Sequence, residues 1–291
     1  MQKAVFRKPV ALDGFVGVDM HFHTDRSQDS LARIDNTLRR ARKLGIGVAI
    51  TDHNTVSGAL RCFNAKGVLV IPGVELTSQE GSHTILYFST KRECAEWARK
   101  VLAPLRRKDP FRLPVSTTEL YERAKPYNAV ICAPHPFGIG ITGIHKSRIT
   151  QKMERSIDVV EGINAYTTHR MNLRAIAWAE ELEKPITAGS DGHVAAELGQ
   201  ALSFCEADNV HEFLHELVRG HSLAMGKENS LYEKARVGFE KEEHFFHEAH
   251  KTHRAFRLLR DQFGSEWTYL KSRVKNGLLH RSHAWFERHH G

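Results

Sequence analysis

Residues 16–24 read Val-Gly-Val-Asp-Met-His-Phe-His-Thr, an apolar strand that ends in two histidines. Side chains alternate between the two faces of a strand, so His21 and His23 point to the same side. Two imidazoles one pleat apart can bind a single metal ion. Taken alone, a His-x-His sequence is equally compatible with two unrelated surface histidines. Its interpretation therefore depends on the polar residues further along the chain.

The same pattern, a short run rich in Val and Ile followed by polar residues, recurs as far as Cys205. It alternates with amphipathic segments at Ile34–Leu44, Glu93–Leu105 and Met171–Leu182, which predict helices. This alternation predicts an α/β fold with a mainly parallel sheet, and about seven units favour a TIM-like (β/α)7 barrel. The predicted strands are Val16–Met20, Val48–Thr51, Val68–Ile71, Thr84–Phe88, Ala129–Ala133, Val159–Ile163 and Ile186–Ala188.

Polar residues stand mainly at the carboxyl ends of these strands, where barrels of this type place their active sites. Two of them have simpler interpretations: Asp29 suits a helix N-cap before Leu31, and Asp52 suits a turn. Asp52 is also placed to orient an imidazole from behind. Taken together, the series predicts a metal site. Its members after His21 and His23 are Asp29, His53, Glu75, His83, His135, Asp191 and His193.

The mixture of carboxylate oxygens and imidazole nitrogens indicates which ions would bind. Such a set suits Mn, Fe or Zn rather than Ca. Six or more nitrogen ligands exceed the coordination of one ion, which predicts two or three divalent ions. Clusters of this kind bring the pKa of a bound water toward neutrality and hold a hydroxide ready. No catalytic side chain beyond the metal-bound hydroxide is required.

The motifs His21-x-His23, Thr51-Asp52-His53, Gly73-Val74-Glu75, His83, Pro134-His135-Pro136 and Gly189-Ser190-Asp191-Gly192-His193 resemble the PHP (polymerase and histidinol phosphatase) family. All occur in the family's order, across roughly residues 16–225. The resemblance implies a distorted seven-stranded barrel, a trinuclear metal site and attack of a metal-bridging hydroxide on phosphorus. The ligands it implies are His21, His23, Asp29, His53, Glu75, His83, His135, Asp191 and His193; the family varies between Asp and His at the position of Asp29.

The resulting prediction is a metal-dependent phosphoesterase that hydrolyses a phosphomonoester or a short phosphodiester, such as a nucleotide or a sugar or amino-alcohol phosphate. The residues do not select among these substrates. The alternative is a nuclease or nucleic-acid accessory protein that uses a basic tail. A metal-stabilised binding module without catalysis is disfavoured, because the ligand set is complete.

Five further residues are candidates for substrate binding. Asn164, His169 and Arg170 follow the strand at Val159–Ile163, and Arg170 is able to clamp a phosphate, although a solvated arginine at a helix start is the favoured interpretation. His145 and Lys146 follow a glycine-rich segment, for which a lid and an ordinary flexible loop both stay open.

Charge and composition bound the partners. The 291 residues carry a formal charge of +8, which favours an anionic phosphorylated small molecule and leaves nucleic acid open. The four cysteines form no Cys-x-x-Cys pair, and the chain has neither a secretory signal nor an apolar run long enough to span a membrane. These features predict a cytoplasmic protein without membrane association.

The pattern changes after Met225, which predicts a barrel over residues 1–225 and a helical extension over residues 226–291. The extension is basic and carries eight histidines. Phe239, Phe246 and Phe256 fall at helical spacings, as in an amphipathic helix. The apolar stripe needs burial, which favours packing on the barrel or a homodimer through these helices, while a cap over the active site stays open.

Overall fold

The computed structural model describes residues 3–106, 112–138, 142–146 and 149–230. The helices predicted after residue 230 therefore lie outside the described residues. Ten strands within the described residues form one sheet. They are β1 (Lys3–Phe6), β2 (Val16–Phe22), β3 (Gly47–Ile50), β4 (Val70–Thr77), β5 (His83–Tyr87), β6 (Val130–Ala133), β7 (Val159–Asn164), β8 (Ile186–Gly189), β9 (Ala201–Cys205) and β10 (Leu223–Gly226).

The sheet has the order β1-β10-β9-β2-β3-β4-β5-β6-β7-β8 and curls on itself. The Tyr87 hydroxyl on β5 donates to the Met20 carbonyl on β2 across the interior, at 2.8 Å. The backbone N–H of His23 donates to the Gly192 carbonyl at 3.0 Å, which joins the residues after β8 to those after β2. The seven strands β2–β8 thus surround a common interior, and the predicted distorted TIM-like barrel is confirmed.

Among β2–β8, one strand runs against the direction that a simple β/α repeat would give it. β2, β3 and β4 are parallel, as are β6, β7 and β8, but β5 is antiparallel to both of its neighbours. The amino end of β5 therefore lies at the same edge as the carboxyl ends of the other six strands. The predicted strands match β2–β8; β1, β9 and β10, which extend the sheet beyond β2, were not predicted.

Helices and short turns connect the strands. α1 ends at Leu44 because Gly45 adopts a left-handed conformation, with φ of 66°. A π-helical turn, Ala98–Leu102, joins α3 to α4, so the helix predicted over Glu93–Leu105 is continuous but irregular. The helices are α1 (Ile34–Leu44), α2 (Ser57–Cys62), α3 (Lys91–Trp97), α4 (Ala103–Leu105), α5 (Thr117–Ala124), α6 (Gln151–Ser156), α7 (His169–Glu181) and α8 (Val210–Val218), with 3-10 turns at Lys125–Tyr127, Ile144–Lys146 and Ala195–Glu197.

Apolar side chains from strands and helices form the core that fixes the barrel. Trp97 of α3 and Tyr121 of α5 are fully buried together with Phe88. Phe213 of α8 packs in a second cluster with strand residues such as Ile71. Burial of each large side chain contributes about 1.5–3 kcal/mol. Within the described residues, no helix combines the length and the apolarity needed to cross a bilayer.

Candidate metal centre

The carboxyl ends of the barrel strands bring the predicted ligands to one edge. β5 contributes from its amino end, because His83 pairs with Thr77 across the antiparallel ladder. In the described residues the ligand atoms form four overlapping groups, each with all its atoms within 4.8 Å of one another. These groups contain His21, His23, Asp29, His53, Glu75, His83, His135, Asp191 and His193.

Glu75 lies at the centre of the cluster and is almost fully buried. Its Oε1 atom is 2.8 Å from His83 Nδ1 and 3.1 Å from His135 Nε2. Its Oε2 atom is 3.2–3.4 Å from ring nitrogens of three further histidines: His21, His23 and His53. Burial opposes ionisation of Glu75, but the surrounding imidazoles hold its pKa well below its usual range. Each oxygen of one carboxylate thus faces a different part of the ligand set.

The chemistry of the donor set fits divalent cations. His193 Nδ1 lies 2.8 Å from the Asp191 carbonyl, which can only accept, so this nitrogen carries the proton. The other ring nitrogen, Nε2, then offers a lone pair, yet it lies 2.7 Å from an oxygen of the Asp29 carboxylate. Two acceptors this close need a cation or a proton between them. His83 Nε2 is likewise buried and has no hydrogen-bond partner within the described part of the chain.

Without metal, the buried carboxylates favour the protonated forms of two histidines of this cluster. Burial lowers the pKa of His23, but the carboxylates of Asp191 and Glu75 raise it to about 9. The pKa of His21 is also raised well above its usual value, against the effect of burial, by Asp191, Glu161 and Glu75. Bound cations would replace these protons.

Two ligands occupy backbone conformations that non-glycine residues seldom adopt. The φ angles of His135 and Asp191 are 27° and 52°. Such conformations cost about 1–3 kcal/mol each and cluster at functional sites. Backbone hydrogen bonds hold both residues, because His135 N donates to Glu161 Oε2 at 2.8 Å and Asp191 N donates to the His21 carbonyl at 2.8 Å.

Residues behind the ligands orient them, and the sequence had not identified three of these. Glu161 Oε1 lies 3.0 Å from His21 Nδ1. Glu197 Oε2 accepts from the His193 backbone N–H at 2.8 Å, and Ser27 Oγ accepts from His53 N at 3.1 Å. A carboxylate inside the apolar run of β7 was a usable signal for Glu161. Glu197 and Ser27 lie in connecting segments, where the sequence carries no pattern that would indicate their role.

Asp52 was predicted to orient an imidazole, and the structure gives it another partner. Its carboxylate accepts from the Thr24 backbone N–H at 2.6 Å and from the Thr24 hydroxyl at 2.9 Å. Burial raises the pKa of Asp52 to about 7. Asp52 therefore fixes the segment that follows His23 rather than an imidazole ring.

Asn164 was predicted to contact substrate, but it is fully buried and its amide is engaged. Its Nδ2 atom donates to Glu161 Oε2 at 2.9 Å and to Asp191 Oδ2 at 3.3 Å. Its Oδ1 atom accepts from the backbone N–H groups of Tyr166 and Thr167 at 2.8 and 3.0 Å. This placement corrects the prediction: Asn164 supports two carboxylates instead of a substrate.

Three of the other predicted substrate contacts, His145, His169 and Arg170, are exposed and lie outside the cluster of predicted ligands. His169 Nδ1 lies 2.9 Å from Glu228 Oε1, and its ring packs edge-on against Phe6. The exposed His145 stacks on the Phe137 ring at a centroid distance of 4.3 Å. Arg170 is the second residue of α7, and the Lys146 side chain lies outside the described part. Substrate contact by these four residues stays a prediction.

Comparisons with known proteins agree with this fold. A family model described as PHP-associated matches residues 169–222. The uncharacterized protein MJ1587 of Methanocaldococcus jannaschii is 30% identical over an alignment of 162 positions, which covers 51% of this chain and 81% of that protein. The barrel and its histidine-rich edge define a protein of the PHP type. The chain belongs to the PHP family.

Solved structures show the same fold at lower identity. One is a two-domain protein from Bacteroides vulgatus that contains a predicted PHP-like metal-dependent phosphoesterase, with a TM-score of 0.57 and 18% identity over 83% of this chain and 74% of that one. Another is Endonuclease Q in complex with a 27-mer duplex substrate that carries an abasic lesion, with a TM-score of 0.60 and 17% identity over 74% of this chain and 60% of that one. The fold is therefore that of PHP-like metal-dependent phosphoesterases.

Proposed function

We propose that the chain is a metal-dependent hydrolase that cleaves a phosphomonoester or a short phosphodiester. The observation that carries this proposal is the Glu75 carboxylate, whose two oxygens face different histidines of the ligand set. A carboxylate shared in this way suits a multinuclear site, and multinuclear sites suit in-line displacement at phosphorus. We infer two or three divalent ions of the Mn, Fe or Zn type.

When bound, the ions supply a water of lowered pKa and positive charge for the phosphate oxygens. The chain's own residues hold the ions and shape the site around them. His21 and His23 are fully buried and close the inner side of the cluster. His53, Asp29 and Asp191 keep 24%, 12% and 13% of their side-chain surface exposed, so a phosphate would approach from their side. The partly exposed Tyr166, whose ring centroid lies 6.2 Å from that of His193, would border this approach.

The direct test is turnover by the Mn-loaded protein of a chromogenic phosphomonoester and a chromogenic phosphodiester. We expect bound Mn, activity that a chelator removes, and loss of both in His21→Ala. The control is His221→Ala, which removes an exposed histidine that pairs with Glu216 on the protein surface. A folded wild-type protein that binds no metal and turns over neither substrate would contradict the proposal.

Nucleic acid is the second substrate class for the same site. Support comes from the DNA substrate bound by Endonuclease Q and from the +8 charge of this chain. The test compares cleavage of duplexes with and without an abasic lesion against cleavage of the small esters. Binding that depends on phosphate contacts would weaken steeply as salt rises. Activity confined to small monoesters would exclude this class.

Two further predictions concern the oligomeric state and the cellular location of the protein. A homodimer through residues 226–291 predicts a dimer of the full chain in sedimentation velocity experiments and a monomer after removal of those residues. Cytoplasmic placement stays a prediction from the composition.

A further inference from the structure

Glu161 is a buried carboxylate in the middle of β7, and it does not belong to any of the four groups of predicted metal ligands. Only 1% of its surface is exposed, and Val160 and Ile163 of the same strand are fully buried. Carboxylates are almost never buried to this extent unless they are paired or hydrogen-bonded. The partners of Glu161 therefore indicate why it is there.

Within the described residues, every hydrogen-bond partner of the Glu161 carboxylate either belongs to a predicted metal ligand or contacts one. Oε1 lies 3.0 Å from Nδ1 of the His21 ring. Oε2 accepts from the backbone N–H of His135 at 2.8 Å and from Asn164 Nδ2 at 2.9 Å. The same Asn164 Nδ2 atom donates to Asp191 Oδ2 at 3.3 Å. One carboxylate thus reaches three ligands, two directly and one through a single amide.

Each contact controls a different property of the ligand it reaches. The bond to Nδ1 fixes the His21 tautomer and leaves the Nε2 lone pair toward the cluster. The bond to the His135 N–H holds a backbone with φ of 27°. The amide of Asn164 cannot turn over, because its Oδ1 atom accepts two backbone N–H groups. Its donor side must therefore face both carboxylates.

We infer that Glu161 is a positioning residue for the metal centre. It sets the tautomer of His21 and the orientation of His135 and Asp191. The inference rests on the proposed function, since the orientation of these groups matters only if they hold metal. It assigns to Glu161 no contact with substrate.

The hydrogen-bonding pattern makes Glu161→Gln a specific probe. Both oxygens of Glu161 accept, so a glutamine of the same shape would turn its NH2 group toward a donor whichever way it is placed. The matched control is Asp158→Asn, at the residue immediately before β7. Asp158 also accepts a backbone N–H, from Ile131 at 2.8 Å, but contacts no ligand of the cluster through it.

The experiment measures Mn affinity and stoichiometry by calorimetric titration of metal-free wild type, Glu161→Gln and Asp158→Asn, with folding checked by circular dichroism. We expect a loss of affinity of about tenfold to a hundredfold in Glu161→Gln, the range for contacts behind metal ligands. Asp158→Asn should keep the wild-type affinity even if it lowers the melting temperature. Wild-type affinity and stoichiometry in folded Glu161→Gln would overturn the inference while leaving the proposed function intact.

A second measurement needs no variant to fold. In the Zn-loaded wild type labelled with ¹⁵N-histidine, His21 should carry its proton on Nδ1. A His21 ring protonated on Nε2 instead would overturn the inference. A folded wild type that binds neither Mn nor Zn would overturn the proposed function itself, and this inference with it.

Discussion

Histidine protonation and metal binding compete at the same ring nitrogens of the cluster. The pKa of His23 is about 9 in the metal-free protein, because Asp191 and Glu75 outweigh the effect of burial. In the unfolded chain the pKa of a histidine is about 6.5. Because its pKa is higher in the folded state, protonation of His23 stabilises the metal-free fold, and this contribution is complete below pH 6.5. This contribution disappears as the pH rises through 9. A bound ion requires the neutral imidazole, so its contribution has the opposite pH dependence.

We therefore predict that stabilisation of the fold by Mn increases between pH 6.5 and pH 9. Each proton released on binding strengthens the apparent affinity by about 1.4 kcal/mol per pH unit. The measurement is the difference in melting temperature with and without Mn across this range. His221→Ala, which lacks only a surface histidine, should show the same dependence. A difference that stays constant with pH would contradict the prediction.

A second prediction concerns the shared carboxylate. Glu75→Gln keeps the size of the side chain but replaces one of the two oxygens that face histidines, and it removes the charge that compensates bound cations. We expect it to lower the bound Mn per chain and to reduce kcat/KM by more than the roughly hundredfold typical of a lost supporting contact. Metal analysis and steady-state kinetics test this together. Full metal content with unchanged kcat/KM would exclude a shared role for Glu75.

At the scale of single residues, the members of the cluster were predictable from the sequence, and most of the residues that hold them in place were not. His21, His135 and Asp191 stand at strand ends, where sequence and side-chain type together indicate a site. The role of Asn164 depends on Glu161 and on Asp191, which is 27 positions away and reaches it only when the barrel closes. Such a partner is set by the fold and leaves no local pattern in the sequence.

The direction of a single strand explains one ligand at the scale of elements. His83 begins β5, so in a parallel barrel it would lie at the edge opposite the other ligands. β5 is antiparallel to β4, and this reversal places His83 Nδ1 2.8 Å from Glu75 Oε1. Strand direction follows from how the connections pack, and the apolar run Thr84–Phe88 carries no sign of it.

The close approach of β8 to β2 yields a prediction at this scale. A Cβ atom on Gly189 would lie 2.4 Å from the Cβ atom of His21 and 2.9 Å from Glu161 Oε1. Gly189→Ala must therefore push the strands apart or displace His21, which costs about 1–3 kcal/mol for an overpacked site. We expect a lower melting temperature and weaker Mn binding, measured by thermal unfolding and calorimetry.

Gly67→Ala is the control for this substitution. Gly67 has φ of 72° and no atom within 4 Å of its would-be Cβ, so alanine adds backbone strain without a clash. It should lower stability by about 1 kcal/mol and leave Mn affinity unchanged. Equal Mn affinity in Gly189→Ala and the wild type would show that His21 does not depend on this approach.

Two of the missed strands, β9 and β10, differ in composition from the strands that were predicted. β2, β4 and β7 each contain two or three residues that are Val or Ile, which favour extended structure. β9 reads Ala-Leu-Ser-Phe-Cys and β10 reads Leu-Ala-Met-Gly, with no β-branched aliphatic residue between them. These two strands form because β2 offers a free edge to β9, and β9 in turn to β10. Their structure is imposed by pairing and not by local propensity.

At the scale of the whole molecule, the cysteines report on the integrity of the fold. Cys62, Cys94, Cys132 and Cys205 lie on α2, α3, β6 and β9, and at most 1% of any of them is exposed. Burial raises the pKa of each thiol to about 12. At pH 8 roughly one thiol in ten thousand would be ionised, and the thiolate is the reactive form.

The folded protein should therefore not react with a thiol reagent such as Ellman's reagent at pH 8. The denatured chain should react at all four cysteines and release four equivalents of thionitrobenzoate. Because the thiols lie in separate parts of the barrel, labelling should proceed through global unfolding. Metal that binds only the folded state lowers the unfolded population by the factor 1 + [metal]/Kd. Mn should then lower the rate of cysteine labelling by this same factor, calculated with the Kd from the calorimetric titration. Rapid labelling of one cysteine that Mn does not slow would instead reveal a local opening at that element, independent of the metal centre.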